Sequence, residues 1–174
     1  MYPANNDRDA AFAARALAHD IGFSTMMRSW ARMQAAHGRA PVYAYVFERR
    51  HSYTPGVAFS DLDPATAAVH HTDDVPYRLD TFDSLNGPRR TRNWTAADHL
   101  LGGRMQAAIV AFAATGNPNT QALGLSWPRY DPNGEQMVAF GDGVRQRTWP
   151  NRASMDRLAA IGIPDPGTAK EERK

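Results

Sequence analysis

The stretch PVYAYVF, residues 41–47, decides the fold class of this protein. Small and branched aliphatic side chains alternate with aromatic ones along it, so an extended chain would present two apolar faces. A strand with two apolar faces is typical of a sheet that helices cover on both sides. The stretch therefore predicts an α/β protein with few strands and several helices.

The sequence before this strand predicts helix. Residues 9–37 are rich in Ala, Arg and Met, and Gly22 interrupts them. We expect one or two helices broken near Gly22, with a helix over residues 25–37 that Gly38 ends.

A second helical segment begins at Thr95, and Asp98 stands three residues on, where the partner of a capping box belongs. Gly116 is the expected end of this helix. The pair Gly102-Gly103 costs about 1 kcal/mol per glycine relative to alanine, so a later start near Gly103 is the alternative.

The remaining segments are a long connection, one short strand and a C-terminal piece. Turn-forming residues dominate residues 51–93, and an ordered connection of that length is usually functional. MVAF, residues 137–140, reads as the second strand, and residues 152–161 form an amphipathic stretch before a polar tail. We assign residues 1–150 to the main domain and residues 151–174 to a terminal helix and that tail.

Two strands are too few for the burial that PVYAYVF demands. They cannot cover both of its faces and pair both of its edges, and a two-stranded sheet is marginal by itself. We therefore expect the sheet to be incomplete in this chain, with the other strands in sequence that the chain lacks.

Composition excludes several functional classes. The 174 residues contain no cysteine, which rules out thiolate catalysis and sulfur-ligated zinc. No apolar run is long enough to span a membrane, and residues 1–20 lack the features of a secretory signal, so the compartment stays open. The net charge is only +2, and the single basic cluster at residues 88–94 is more typical of a solvated loop than of a nucleic-acid site. We expect no cofactor, metal, nucleic-acid or membrane partner.

The stretch AVHHTDDVPYRLD, residues 68–80, lies inside the long connection and concentrates two histidines and several acids. Three structural explanations compete with a chemical one. The stretch could be an exposed polar loop, a helix start capped by Thr72 or Asp73, or a pair of histidines held by local hydrogen bonds.

Together with its neighbours, this stretch resembles the type-B carboxylesterases, a family of α/β-hydrolases. The motifs that carry the resemblance are Asp20-Ile-Gly-Phe23, PVYAYVF, Ala68-Val-His-His-Thr-Asp-Asp-Val-Pro-Tyr77, Phe112-Ala-Ala-Thr-Gly-Asn-Pro-Asn119 and Trp127-Pro-Arg-Tyr130. They follow the family's order over residues 2–140. The resemblance implies that the chain is the C-terminal portion of an α/β-hydrolase fold.

The same register implies a catalytic role for His71, the position of the family's general base. Such a base takes the proton of a serine hydroxyl and later returns it to the leaving alcohol. His70 is then a loop residue, Asp74 has a structural role, and Asp73 is expected to be solvated. Phe23, near the Asp-x-x-Phe motif, is either a pocket neighbour or a core residue.

The nucleophile is missing from the sequence. No Gly-x-Ser-x-Gly motif occurs, and the nearest pattern, Gly22-Phe-Ser-Thr-Met26, lacks the second glycine. We therefore expect a carboxylic ester hydrolase whose C-terminal portion supplies the histidine and is inactive alone. Its partners would be the N-terminal portion of the same fold and an ester substrate, whose preference stays open. The alternatives are a catalytically silent, cholinesterase-like binding or adhesion domain and a non-functional gene fragment.

Overall fold

Two helices joined by a wider turn begin the chain. In the computed structural model, which describes residues 2–161, α1 spans Asp7–His19 and α2 spans Thr25–His37, with a π-helical turn at Asp20–Ser24. The side chain of Asn6 caps α1 by accepting a hydrogen bond from the backbone N–H of Asp9 (2.9 Å). The predicted helix over residues 25–37 and the predicted interruption near Gly22 are confirmed.

Three strands form one sheet in the order β1, β2, β3. β1 spans Tyr45–Phe47, so the strand predicted over residues 41–47 is shorter than expected. β2 spans Gln136–Phe140 and β3 spans Val144–Thr148. β1 runs parallel to β2, with Tyr45 opposite Val138. Within the described residues β1 pairs on one side only, which agrees with an incomplete sheet in this chain.

The expectation of two strands is wrong, because the sheet has a third strand, β3. The sequence did not reveal β3 because it has no apolar pattern. Its sequence VRQRT contributes two arginines, and Arg145 and Arg147 both form ion pairs with Glu48. Strand β2 reaches β3 through only three residues, so proximity along the chain brings β3 to the sheet edge. A polar edge strand of this kind is invisible to a search for buried runs.

The helix predicted from Thr95 is confirmed as α4, which spans Ala96–Thr115. The Thr95 side chain accepts from the N–H of Asp98, and the Asp98 carboxylate accepts from the N–H of Thr95 (2.8 Å). Gly116 ends the helix in the left-handed region at φ 73°. The alternative start near Gly103 is wrong.

Short elements fill the long connection before α4. α3 spans Val75–Leu79 and a 3₁₀ helix spans Phe82–Asn86, and within the described residues 51–93 no helix or strand is longer than these. The prediction that turns prevent long regular elements there is confirmed. Another 3₁₀ turn, Gln121–Leu123, follows α4.

The chain divides into two compact units, each with its own interior. The second unit, residues 43–129 and 136–147, has an apolar core of Tyr77, Phe82, Leu101, Met105, Ala108, Leu123, Trp127, Val138 and Phe140. Four of the five residues of β2 are buried, as expected for a strand covered on both faces.

The first unit comprises residues 2–42, 130–135 and 148–161 of the described chain. It contains α1, α2 and α5, and α5 spans Arg152–Ala160, which confirms the predicted amphipathic stretch. The polar tail predicted after it lies outside the described residues. None of the helices described between residues 2 and 161 has the length and apolar character to cross a membrane.

Candidate catalytic histidine loop

The histidine predicted to be catalytic lies in a turn directly before α3. His71 is exposed, whereas Pro76 and Tyr77 in α3 are buried. The buried Pro-Tyr pair therefore anchors α3 in the second unit, and the turn presents the imidazole at the surface of that unit.

Hydrogen bonds close the turn on itself. The carboxylate of Asp73 accepts from the N–H of His70 (2.7 Å), and the N–H of Asp73 donates to the carbonyl of His70 (3.2 Å). The N–H of Val75 donates to the carbonyl of Thr72 (2.9 Å), which has a left-handed φ of 74°. A β-branched residue is costly in that region and persists only where its surroundings hold it. The turn that carries His71 therefore has one defined conformation, which these hydrogen bonds hold.

The expectation that Asp73 is solvated is wrong. Only 14% of its side chain is exposed, and its carboxylate caps the turn. His70, in contrast, is exposed in the loop, as expected. Its Nδ1 lies 3.5 Å from the Asp73 carboxylate.

Asp74 joins the turn to the sheet. Its carboxylate accepts from the hydroxyl of Tyr45 in β1 (2.7 Å) and lies 2.8 Å from Nε of Arg78. Burial, followed by the hydrogen bond to Asp74, raises the pKa of Tyr45 far above its usual value, so the hydroxyl stays a donor. These contacts agree with a structural role for Asp74.

Tyr77, which follows the turn, is hydrogen-bonded to the buried carboxylate of Asp98, and Arg49 pairs with the same carboxylate. The Tyr77 hydroxyl donates to the carboxylate of Asp98 (2.9 Å), and Nε of Arg49 donates to the same oxygen (2.8 Å). Burial tends to raise the pKa of Asp98, but the hydrogen bonds from Arg49 and Thr95 outweigh it and hold that pKa below its usual value. The carboxylate is therefore ionised at neutral pH and fixes α3 against α4.

Sequence reasoning missed His51, the first residue of the long connection, which contacts the turn. Its Nε2 lies 2.9 Å from the carbonyl oxygen of Asp73, and Arg92 lies on the other side of the ring. His51 and Asp73 are 22 residues apart, and no motif or periodicity links them. Only its position shortly after β1 could have drawn attention to it.

The loop contains a candidate base, but the sequence lacks the nucleophile motif of a serine hydrolase. His71 can accept and return a proton, but no residue of the whole sequence lies in a Gly-x-Ser-x-Gly motif. No group of His, Asp or Glu side chains suited to hold a metal ion occurs within residues 2–161. Phe23 is 50% exposed, so within the described part of the chain it is a surface residue rather than a core residue.

The chain is similar to known proteins in sequence and in fold. The curated relatives include acylcarnitine hydrolase of Mus musculus, 33% identical over 102 residues, which amount to 57% of this chain and 16% of that protein. Carboxylesterase 5A of Homo sapiens is 33% identical over 92 residues, 53% of this chain and 15% of that protein. The chain thus spans about a sixth of the length of these relatives.

Two solved esterases share the fold. PNB esterase superposes with a TM-score of 0.62 at 20% identity, over 90% of this chain and 28% of that one. Carboxylesterase EST55 of Geobacillus stearothermophilus gives 0.60 at 21% identity, over 90% and 29%. The fold is therefore that of the C-terminal part of an α/β-hydrolase. The sequence profile of the carboxylesterase family matches residues 2–157. The chain belongs to the carboxylesterase family.

Proposed function

We propose that this chain is the base-bearing portion of a carboxylic ester hydrolase of the serine-esterase type, with His71 as the general base. The observation that carries the proposal is the position of His71. It stands six residues before the buried Tyr77, on a hydrogen-bonded turn, in a chain of the carboxylesterase family. An imidazole can accept a proton on one ring nitrogen and give it back, which suits transfer in both directions.

The reaction would run in two acyl transfers. In the first, His71 takes the proton of a serine hydroxyl while the serine oxygen attacks the ester carbonyl, and the imidazolium then protonates the leaving alcohol. In the second, the imidazole takes a proton from water, which attacks the acyl-enzyme. The proton then returns to the serine oxygen as the acid leaves.

The serine, the oxyanion donors and the acid that orients the histidine would come from the N-terminal portion of the same fold. Without a nucleophile His71 has nothing to activate, and the rates that survive damage to a triad depend on oxyanion donors. We therefore infer that the chain alone does not turn over esters. Its substrates are carboxylic esters as a class, a class that includes the acylcarnitines in the name of the mouse relative.

A chimera tests the proposal. The C-terminal segment of PNB esterase that superposes on this chain is replaced by residues 2–161, and hydrolysis of p-nitrophenyl acetate is measured. We expect an active chimera in which His71→Gln lowers kcat by about 10⁴-fold or more. His70→Gln is the matched control, because it alters the neighbouring exposed imidazole, and it should leave kcat within about twofold.

Two results would contradict the proposal. One is an active chimera that keeps its rate after His71→Gln. The other is hydrolysis by the isolated chain that survives the same substitution. The DNA upstream of the Met1 codon separates the remaining alternatives: a Gly-x-Ser-x-Gly motif there supports the esterase, and its loss by substitution favours a silent binding domain.

A further inference from the structure

His51 is a buried histidine that the proposed mechanism does not use. Only 7% of the residue is exposed, and its ring lies edge-on to Trp94 (centroids 4.9 Å apart) and stacked on Tyr77 (6.1 Å). Burial is the main cause that lowers the pKa of His51, so the ring is neutral at neutral pH. A neutral imidazole has one donor nitrogen and one acceptor nitrogen.

Arg92 decides which nitrogen is the donor. Its Nε–H points at Nδ1 of His51 at 3.0 Å, and a guanidinium can only donate. Nδ1 must therefore be the acceptor, and the ring proton lies on Nε2. This second nitrogen is 2.9 Å from the carbonyl oxygen of Asp73, so the imidazole donates a hydrogen bond to that carbonyl.

The carbonyl of Asp73 ends the segment that carries His71. The same residue accepts from the N–H of His70 and donates to the carbonyl of His70, which closes the turn around His71 and Thr72. Asp74, the next residue, is tied to β1 through Tyr45. The hydrogen bond from His51 thus connects the start of the long connection to the backbone of the closed turn.

We propose that His51 is a positioning residue for His71: its Nε2–H holds the Asp73 carbonyl and thereby fixes the turn that presents the catalytic imidazole. Arg92 acts behind it by selecting the tautomer that can donate. This inference rests on the proposed function, because the position of His71 matters for catalysis only if His71 is the base.

Amide hydrogen exchange of the 174-residue chain, followed by mass spectrometry, tests the positioning directly. His51→Phe keeps a ring among Tyr77 and Trp94 but removes both nitrogens. We expect amides in peptides from residues 68–80 to exchange about five- to tenfold faster, the effect of losing a buried hydrogen bond on local opening. Peptides from residues 117–128, whose hydrogen bonds do not involve this loop, serve as the internal reference and should not change.

Two further variants separate positioning from general stability. His51→Gln keeps an N–H near the place of Nε2 and should restore exchange in residues 68–80 to the wild-type rate. Trp94→Phe removes a hydrogen bond of the same aromatic cluster, from Nε1 to the carbonyl of Phe82 (2.8 Å), and should leave the loop unchanged. His51→Phe could also speed exchange in the reference peptides, and His51→Gln is then the deciding variant. Wild-type protection of residues 68–80 in His51→Gln supports the proposal, and loss of that protection overturns it.

Unchanged exchange in His51→Phe, or equal loosening of the loop by Trp94→Phe, would also overturn it. In the active chimera, His51→Phe should lower kcat about tenfold with KM unchanged, and His51→Gln should restore kcat. A chimera that stays active after His71→Gln would refute the proposed base. The exchange measurement needs no activity, so it would still report whether His51 holds the turn.

Discussion

At the scale of single residues, Asp98 is the most heavily bonded carboxylate of the second unit. It is fully buried, and it accepts from Arg49 and Tyr77 on one oxygen and from Thr95 on the other. A buried carboxylate with its acceptor positions filled by donors is stable only as an anion. Its removal would take this acceptor from the Tyr77 hydroxyl and the Thr95 N–H and leave Arg49 with only the exposed Asp142 of its two carboxylate partners.

Asp98→Asn should lower the free energy of unfolding by about 3 kcal/mol at pH 7, because it removes the buried charge that pairs with the half-buried Arg49 and weakens the bond from the buried Tyr77 hydroxyl. The pKa of Asp98 is lower in the folded protein than in the unfolded chain, so the unfolded state binds the proton more readily. Its contribution is complete above the unfolded pKa of about 3.9 and is lost as the pH falls through the folded pKa.

Urea unfolding of wild type and Asp98→Asn at pH 7 and at pH 3 measures this dependence. The difference between the two proteins should shrink at the lower pH. Asp142→Asn is the control, because Asp142 pairs with the same Arg49 but is 97% exposed, and its loss should cost less than about 1 kcal/mol. An equal difference at both pH values would contradict the assignment.

Residue identity alone does not reveal what a polar side chain does in this chain. Asp73 and Asp74 are adjacent, yet one caps the turn and the other binds Tyr45. Glu135 of the first unit is fully buried and has a left-handed φ of 49°. It accepts hydrogen bonds from Arg28, Arg32 and Tyr130, and the proposed mechanism does not use it. The partner of Asp73 is local, but Tyr45 and Arg28 are far along the chain from Asp74 and Glu135, and no local pattern predicts those two pairs.

At the scale of elements, α4 contains two neighbouring glycines with opposite surroundings. A Cβ on Gly102 would lie 2.9 Å from the buried ring of Phe82, whereas one on the exposed Gly103 would meet nothing within 4 Å. Gly102 is therefore a close packing contact, and Gly103 is a helix position that gains nothing from being glycine.

Gly103→Ala should raise the free energy of unfolding by about 1 kcal/mol, the usual gain in a helix interior. Gly102→Ala gains the same propensity but forces the Phe82 ring to move, so we expect a net loss of about 1 kcal/mol or more. Chemical denaturation of both variants measures the contrast. Equal stabilisation by the two substitutions would contradict this prediction, because it would mean that the Phe82 ring can move away from a Cβ at position 102 without loss of stability.

At the scale of the whole molecule, the first unit exposes an apolar stripe along its helices. Phe23, Met26, Met27, Trp30 and Met33 recur at helical spacing and are 44–56% exposed. In the second unit β1 pairs on one side only within the described residues. Exposed apolar stripes and open strand edges both favour association.

The isolated chain should therefore self-associate as its concentration rises, as light scattering after size exclusion would show. Trp30→Glu combined with Met27→Lys should shift it toward monomer, because these substitutions charge the centre of the stripe. Val110→Lys, at an exposed position on α4, is the control and should change little. A monodisperse wild-type monomer that unfolds cooperatively would contradict this prediction.

The sequence by itself determined the α/β class, the helical N-terminal region, the ends of α2 and α4, the buried strand β2, and the family. It also predicted His71 as the candidate base. These features depend on periodicity, capping residues and short motifs, which act between neighbours along the chain.

Only the tertiary structure decided the polar edge strand β3, the bond from His51 to Asp73 and the ionic group around Asp98. His51 and Asp73 lie 22 residues apart, and Arg49 and Asp98 lie 49 apart, so each pairing is set by how the elements pack. The strength of these contacts comes from burial, since a desolvated charge or N–H must find a partner in space. The position of that partner is a property of the fold, and no local spacing encodes it.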